Sequence, residues 1–479
     1  MESQEQDQLY FDVKRIAIIG AGPCGLASAK YLVAQDAFAK IDIFEQNSEV
    51  GGVWNYSPQP SETLHVPQVS PYTPPDPPLR FEGKAPVFPS PMYHVLHTNI
   101  PRRLMQFSDL PFPEDSPIFP HRGLVQDYLV LYSQDIRQCI QFSRLVQDVR
   151  LRPVDGKDQW DLDILSLETG KVTTATYDAV VAASGHYSVT YLPVVKNIKQ
   201  FHSVHPGVIT HAKPYRAPAS FVGKKVIVVG NAASGLDIAS QINSVCRKPL
   251  LLSVQTPTPG PNLEFVGAEE VPVIDEFMVV ERGVKFADGR VETDVDAIVF
   301  ATGYLFTFPF LTTLQPPLLT DGRRVHGLYR DLFHIDHPTL VFPGLPIKVV
   351  PFAVAESQAC IFSRTWANLL PLPSRADMRK WEVEESQRRG ASFHVWPKGG
   401  DAEFINWVHS WISQVETAGK TAGKMPPRWN NELIWERQIY ADAKLKFEIS
   451  GRTAKSLAEL GFEYWPDGKN ASTAIEEAF

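Results

Sequence analysis

Hydrophobic and polar positions follow three rhythms along this chain. Four short apolar runs are uninterrupted: IAII (16–19), VVAA (180–183), VIVV (226–229) and AIVF (297–300). Continuous β-branched runs of this length predict strands buried on both faces. Two of them open matching segments, KRIAIIGAGPCGLASAKYL (14–32) and KKVIVVGNAASGLDIASQI (224–242). Each passes from strand to glycine-rich turn to a run of helical period, a β–turn–α unit. The other two runs match as well: YDAVVAASGHY (177–187) parallels VDAIVFATGY (295–304). The similarity is not a tandem repeat. It predicts two dinucleotide-binding domains of one kind.

Other stretches have different periods. WDLDILSLETGKVTTATYD (160–178) alternates apolar with polar and turns at Thr-Gly, and FADGRVETD (286–294) turns at Asp-Gly; both predict antiparallel hairpins. EVEESQRR (382–389) and DAEFINWVHSWISQVE (401–416) predict helices, the second with apolar residues at packing spacing. Residues 57–91 hold eleven prolines, which predicts an extended irregular loop. That loop either shapes a substrate entrance or is a covered surface excursion.

The first turn, Gly20-Ala21-Gly22-Pro23-Cys24-Gly25, fits GxGxxG between a strand and a helix. The first glycine permits the turn, the second admits a pyrophosphate, and the third lets helix and strand pack closely. The helix start offers free N–H groups to the phosphates. The next predicted strand, KIDIFEQ (40–46), ends near Glu45, placed to accept from ribose hydroxyls. Gly51-Gly52-Val53-Trp54 follows, a packed turn or a close passage past a flat ligand walled by Trp54, and fits FAD. In the second turn, Gly230-Asn231-Ala232-Ala233-Ser234-Gly235, alanine stands at the middle glycine. The strand after it, LLLSVQT (250–256), offers Ser253 and Gln255 and no acid, which permits a 2′-phosphate and so NADPH. Arg247 and Lys248 either reach that phosphate or are solvated helix-end cations.

Composition narrows the class. The 479 residues are 44% apolar and 21% charged with a net charge of −8, ordinary globular material without the basic stripe of a nucleic-acid binder. The first fifteen residues are polar and unlike a secretory signal. The most apolar stretch, 339–355, is interrupted by three prolines and a lysine, so no membrane span is expected. Four dispersed cysteines (24, 139, 246, 360) without a CxxC pair argue against a disulfide scaffold or zinc site and for a reducing, cytoplasmic setting. On that reading the glycosylation-like patterns at Asn55 and Asn470 are coincidental.

With these landmarks in order, the chain resembles the flavin-containing monooxygenases from Arg15 to about Phe447. The carriers are the two glycine turns, Gly51–Trp54, MYHVLHTNIPRRLMQFSDLPFP (92–113), GHYSVTYLP (185–193), HPGVITHAKPY (205–215), ATGYLFTFPF (301–310) and LYRDLFHIDHPTLVFPGLP (328–346). The family pattern Phe-x-Gly-x-x-x-His-x-x-x-Tyr/Phe is met at Gly207, His211 and Tyr215, with His205 standing where phenylalanine is usual. Arg216, where related ketone-oxygenating enzymes have proline after tryptophan, favours N- or S-oxygenation.

The resemblance implies an α/β fold of two Rossmann-like domains, with the NADPH domain (191–304) inserted in an FAD domain (1–190 and 305–479, the latter with added helices). It implies that NADPH reduces FAD, that O2 adds as a C4a-hydroperoxide, and that one oxygen passes to an amine nitrogen or sulfide sulfur of a small molecule. Asn99 is the implied catalytic residue, beside flavin and nicotinamide. Cofactor contacts are implied at Gly20 to Gly25, Glu45, Gly52, Val53, Trp54, Thr98, Asn99, Thr302 and Gly303 for the flavin side. For NADPH they are Gly230, Asn231, Ser234, Gly235, Asp237 and Ser253. His211 is read as ordering the interdomain linker. No metal is implied, and a homo-oligomer is compatible with the sequence. The alternatives are Baeyer–Villiger oxygenation of a ketone, a flavin disulfide reductase (disfavoured by the missing CxxC) and a non-catalytic dinucleotide-binding protein.

Overall fold

In the computed structural model, residues 9–60, 63–83, 85–417 and 423–466 are described. The far N-terminal residues 1–8, the polar C-terminus from 467 and Asn470 lie outside them.

Two sheets organise the chain, the first parallel except for an antiparallel edge and the second parallel throughout. The first has Arg15–Ile19 at its centre, in register with Lys40–Phe44 on one side and Ala179–Ala182 on the other. Ile140–Gln141 extends one edge, while Leu340–Val341, Phe333–His334 and Leu328–Tyr329 extend the other. The second sheet lies wholly between residues 209 and 300. Its order is Glu269–Val271, Arg247–Ser253, Lys225–Val229, Ala297–Phe300 and Ile209–His211, all parallel.

Strand periodicity sorts the apolar runs onto two faces. In the first sheet, Ile16 and Ile18 join a core with helices Pro23–Gln35 and Pro351–Trp366, while Ala17 and Ile19 face the Arg144–Tyr177 meander. The second sheet repeats the plan. Val226 and Val228 pack on Ile238 and Ile242 of helix Ala233–Asn243; Ile227 packs toward Phe277 and Phe286 of a small antiparallel sheet.

The likeness of 177–187 to 295–304 has a structural reason. Asp178 accepts from the amides of Lys14 and Arg15 at 2.9 and 2.8 Å, and Asp296 accepts from Lys225 N at 2.9 Å. Each aspartate ties its strand to the start of the strand that precedes a glycine turn.

Both expected hairpins form, as Lys157–Ser166 with Val172–Tyr177 and as Gly283–Phe286 with Val291–Glu292. The expected helices form at Arg375–Arg389 and Gly400–Thr417. The apolar stretch at 339–355 goes into a core strand and the start of a buried helix. Among the described residues no helix is long and apolar enough to cross a membrane.

Candidate active site

Each glycine turn is built by the same two steric facts. Gly20 and Gly230 have φ of +102° and +103°, and a Cβ on either would meet a backbone oxygen, Ala183 O at 2.6 Å or Ala301 O at 2.9 Å. A Cβ on Gly25 would lie 1.9 Å from Gly20 O, and one on Gly235 2.0 Å from Gly230 O. Only glycine lets each helix start this close to its strand.

In the first turn, Pro23 opens the helix and Leu26 N makes its first bond, to Gly22 O at 3.0 Å. The amides of Cys24 and Gly25 precede that bond, at the positive end of the helix dipole. Gly22 faces Gly52, whose added Cβ would sit 3.1 Å from Gly22 Cα, and Gly51 N donates to Ala21 O at 2.9 Å. The Gly51–Trp54 turn thus lies directly against the GxGxxG loop, with Val53 O held by the Ser90 hydroxyl and Trp54 packed on the core.

Glu45 is buried beneath this loop. One carboxylate oxygen accepts from Ala21 N at 2.7 Å, the other from Asn47 N and Nδ2 at 2.8 and 2.9 Å. Burial raises its pKa, and these hydrogen bonds hold it down in part. A carboxylate has about four acceptor sites, and these three bonds leave about one for a ribose hydroxyl. Cradle, free amides and acid together fit FAD. Asn47, which orients Glu45, was not marked by any spacing in the sequence. Neither was Gly344, where a Cβ would strike Cys24 Sγ at 2.4 Å.

The second turn is more open. Ala232, Ala233 and Ser234 are exposed at the helix start. Asn231 does not point outward; its Nδ2 donates to Thr256 O and Thr258 Oγ1 at 2.8 and 3.0 Å and holds that loop beside the cradle. Ser253 is buried and donates to Pro272 O at 2.9 Å. Asp237 accepts from the Tyr93 hydroxyl and pairs with Arg452 at 3.1 Å, tying this helix to the first domain and to the C-terminal region. Of the two readings for Arg247 and Lys248, the structure favours cations set away from a 2′-phosphate. They begin strand Arg247–Ser253, so they lie about 20 Å from its carboxyl end, and Lys248 Nζ is held by Asn243.

The 92–100 segment joins the second domain through Tyr93 and Asp237 and helix Arg122–Tyr132 through Leu96 O and Arg122 N. Thr98 is buried; its amide donates to Pro120 O at 2.9 Å and its hydroxyl to Ile100 O at 2.8 Å, so it fixes the turn. Asn99 follows, exposed, its amide side chain without a partner among the described residues.

The chain crosses between sheets at two places, and the crossings pair with each other. Val189–Thr190 and Tyr304–Leu305 run antiparallel, the Thr302 hydroxyl donates to Tyr191 O, and Tyr191 N donates to Gly303 O at 2.9 Å. His211 Nε2 lies 3.1 Å from Gly303 O, and its Nδ1 accepts from Lys213 N at 3.0 Å. Nδ1 is therefore the acceptor and Nε2 the donor, which assigns the neutral tautomer; burial depresses the pKa to about 3. His205 caps helix Ile198–Val204 with its ring 5.0 Å from Phe201 and Nε2 2.7 Å from Val279 O. The imidazole packs as a phenyl would and also satisfies a carbonyl.

The proline-rich stretch braces these crossings. Gln68 pairs with Leu192, Thr307 Oγ1 donates to Pro71 O at 2.8 Å, and buried Lys213 meets Asp76 at 2.7 Å.

This geometry can be set against known proteins. Residues 79–258 and 265–418 match the family described as flavin-binding monooxygenase-like, and residues 18–71 match an NAD(P)-binding Rossmann-like domain.

The chain belongs to the flavin-binding monooxygenase-like family.

It is 31% identical over 470 residues to a thiol-specific monooxygenase of Saccharomyces cerevisiae, covering 95% of this chain and 98% of that protein. It is 29% identical to a trimethylamine monooxygenase of Methylocella silvestris, covering 78% and 79%. Among solved structures, an S-allyl-L-cysteine S-oxygenase from Allium sativum superposes with a TM-score of 0.76 at 23% identity, over 95% of this chain and 98% of that one. This flavin monooxygenase is an enzyme with two Rossmann-like domains, whose cofactors are FAD and NADPH.

Proposed function

We propose that this flavin monooxygenase transfers one oxygen atom from O2 to a soft nucleophile of a small molecule, a thiol or sulfide sulfur in the first instance and an amine nitrogen in the second. The bound flavin supplies acceptance of hydride from NADPH and activation of O2. The chain supplies placement. The amides at Cys24 and Gly25 hold the FAD pyrophosphate, Glu45 takes a ribose hydroxyl, and Gly52, Val53 and Trp54 border the ring system. The helix start at Ser234 and Gly235 holds the NADPH pyrophosphate, with Gly230 leaving room for it.

The observation that carries the reading is Asn99. Its turn is satisfied by Thr98 and Ile100, yet its own amide is exposed and has no partner among the described residues where the 92–100 segment meets the NADPH domain through Tyr93 and Asp237. An amide donates and accepts at once, so it can fix the nicotinamide and the reacting oxygen relative to each other. Transfer to an external nucleophile needs no side-chain nucleophile and no paired carboxylates; it needs orientation and exclusion of water.

The preference for sulfur is supported by the thiol-specific and S-oxygenating relatives. Arg216, where ketone oxygenases place proline, stands against Baeyer–Villiger chemistry. The test is NADPH consumption in air by the yellow protein with a thiol, a sulfide, a tertiary amine and a cyclic ketone, with product masses measured. A sulfur product gaining one oxygen is expected; a lactone alone, or no oxygenated product, would reject the reading.

A further inference from the structure

Among the described residues, Arg122 is a cation without a carboxylate partner. It opens helix Arg122–Tyr132, and its guanidinium carbon lies over the Tyr56 ring, 3.6 Å from the centroid. Its Nε is buried and unpartnered, and neither terminal nitrogen donates to any described residue. No carboxylate pairs with it among the described residues, although ion pairs are plentiful elsewhere in the molecule. Burial lowers its pKa.

The surroundings place this group at the candidate active site. Arg122 N donates to Leu96 O at 3.0 Å, and His97 pairs with His121, so the Asn99 segment runs alongside. One helical turn on, Gln126 Nε2 donates to Val50 O at 2.7 Å, while its Oε1 is buried, unpartnered and pressed against Gly51. The same helix face thus overlooks the flavin cradle with two unsatisfied polar groups. Arg216 also lies near Tyr56, 5.9 Å from the ring centroid, but donates to the carbonyls of Ser57, Ser90, Lys213 and Tyr215. It adds positive charge and no spare donor fork.

We propose that Arg122, resting on Tyr56, is an oxyanion receptor that takes the carboxylate of the sulfur substrate and presents the sulfur toward Asn99; this rests on the oxygenase reading above. The geometry favours a carboxylate. With Nε closed off, what remains is the paired terminal nitrogens, a planar fork that matches one carboxylate bidentately. The tyrosine ring holds the guanidinium, so little freedom is lost on binding. The dinucleotide phosphates have their own cradles at residues 20–25 and 230–235. The substrate class is therefore an amino-acid-like thiol or thioether with a free carboxylate.

The test compares S-methyl-L-cysteine with its methyl ester, in the wild type and in Arg122→Met, which keeps an apolar stem for the ring. The readout is the ratio of kcat/KM for acid over ester, together with the Kd of NADP+ for the FAD-loaded protein. A charge-assisted pair is worth about 1.5–3 kcal/mol, so the ratio should fall roughly 10- to 150-fold in Arg122→Met, with Arg122→Lys restoring part of it. The Kd of NADP+ should stay within about twofold. An unchanged ratio overturns the proposal. So does a ratio that holds while NADP+ binding weakens, which would make the anion a dinucleotide phosphate. If the wild type oxidises neither compound, calorimetry with S-methyl-L-cysteine on the FAD- and NADP+-loaded protein separates the two readings. Binding that weakens in Arg122→Met sustains the receptor while the oxygenation reading falls; no binding removes the receptor as well.

Discussion

The duplicated glycine geometry makes a crossed prediction. A Cβ on Gly25 would lie 1.9 Å from Gly20 O, and one on Gly235 2.0 Å from Gly230 O. Side-chain Cβ atoms essentially never come within 3.0 Å of backbone, so alanine pushes each helix start back by about 1 Å. Overpacking of this kind costs about 1–3 kcal/mol, and alanine's better helix propensity returns up to about 1 kcal/mol, so each variant should still fold. The larger loss falls on the ligand. The retreating amides are the ones facing a pyrophosphate, and a hydrogen bond to a charged group is worth about 1.5–3 kcal/mol. Gly25→Ala should therefore weaken FAD about 10- to 150-fold and purify with little flavin. Gly235→Ala should keep its FAD and weaken NADP+ by a similar factor. Absorbance at flavin wavelengths gives occupancy, and titration of the FAD-loaded protein gives the Kd of NADP+. The assignment of one ligand to each turn is refuted if both variants lose the same ligand, or if neither affinity moves by more than about twofold.

Further outcomes follow from other parts of the site. Asn99→Ala should retain FAD and consume NADPH while releasing H2O2 in place of oxygenated product; unchanged coupling, measured as product per NADPH, would remove Asn99 from the reaction. Asp76→Ala should leave Lys213 charged and buried, costing about 3–5 kcal/mol in urea unfolding, most of it recovered in the Asp76→Ala/Lys213→Met double variant. A double variant no better than the single would place the cost elsewhere. Glu436 is buried, neither carboxylate oxygen has a hydrogen-bond partner among the described residues, and burial raises its pKa to about 7 even with Arg103 at 3.6 Å holding it down in part. A carboxyl raised in the fold contributes stability that is complete below its ordinary pKa near 4.5 and lost as pH rises through 7. Glu436→Gln should thus be more stable than wild type at pH 8.5, the gap closing toward pH 5; a pH-independent gap in unfolding midpoints would contradict that.

What the sequence disclosed, it disclosed through local patterns. The strand–glycine–helix units, the repeated aspartates and the hairpins depend on residues a few positions apart, and each is visible in a short window. The residues it concealed act through side-chain directions and long-range contacts that a short window does not show. Asn47 is unremarkable until Glu45 is seen bonding to it, and Arg122 looks like an ordinary helix-start cation until Tyr56, 66 positions away, is found beneath it. The sequence leaves Arg247 and Lys248 open between a phosphate role and a solvated one, because which end of the strand faces the ligand is visible only in the fold. The strand between them and the ligand end runs its full length in the wrong direction. Asn231 and Ser253 fit the expected types, yet their side chains are engaged with Thr256, Thr258 and Pro272. Only the folded loops could reveal those partners.

The paired crossings have a mechanical consequence. Two independent tethers would let the NADPH domain tilt and twist freely. Here the outgoing strand Val189–Thr190 and the returning strand Tyr304–Leu305 are bonded to each other, and Gln68 and Pro71 are fastened to the same seam. With Asp237 also tied to Tyr93 and Arg452, such a seam resists both tilt and twist. The nicotinamide end of a dinucleotide on the second sheet would then be presented to the flavin at one fixed angle.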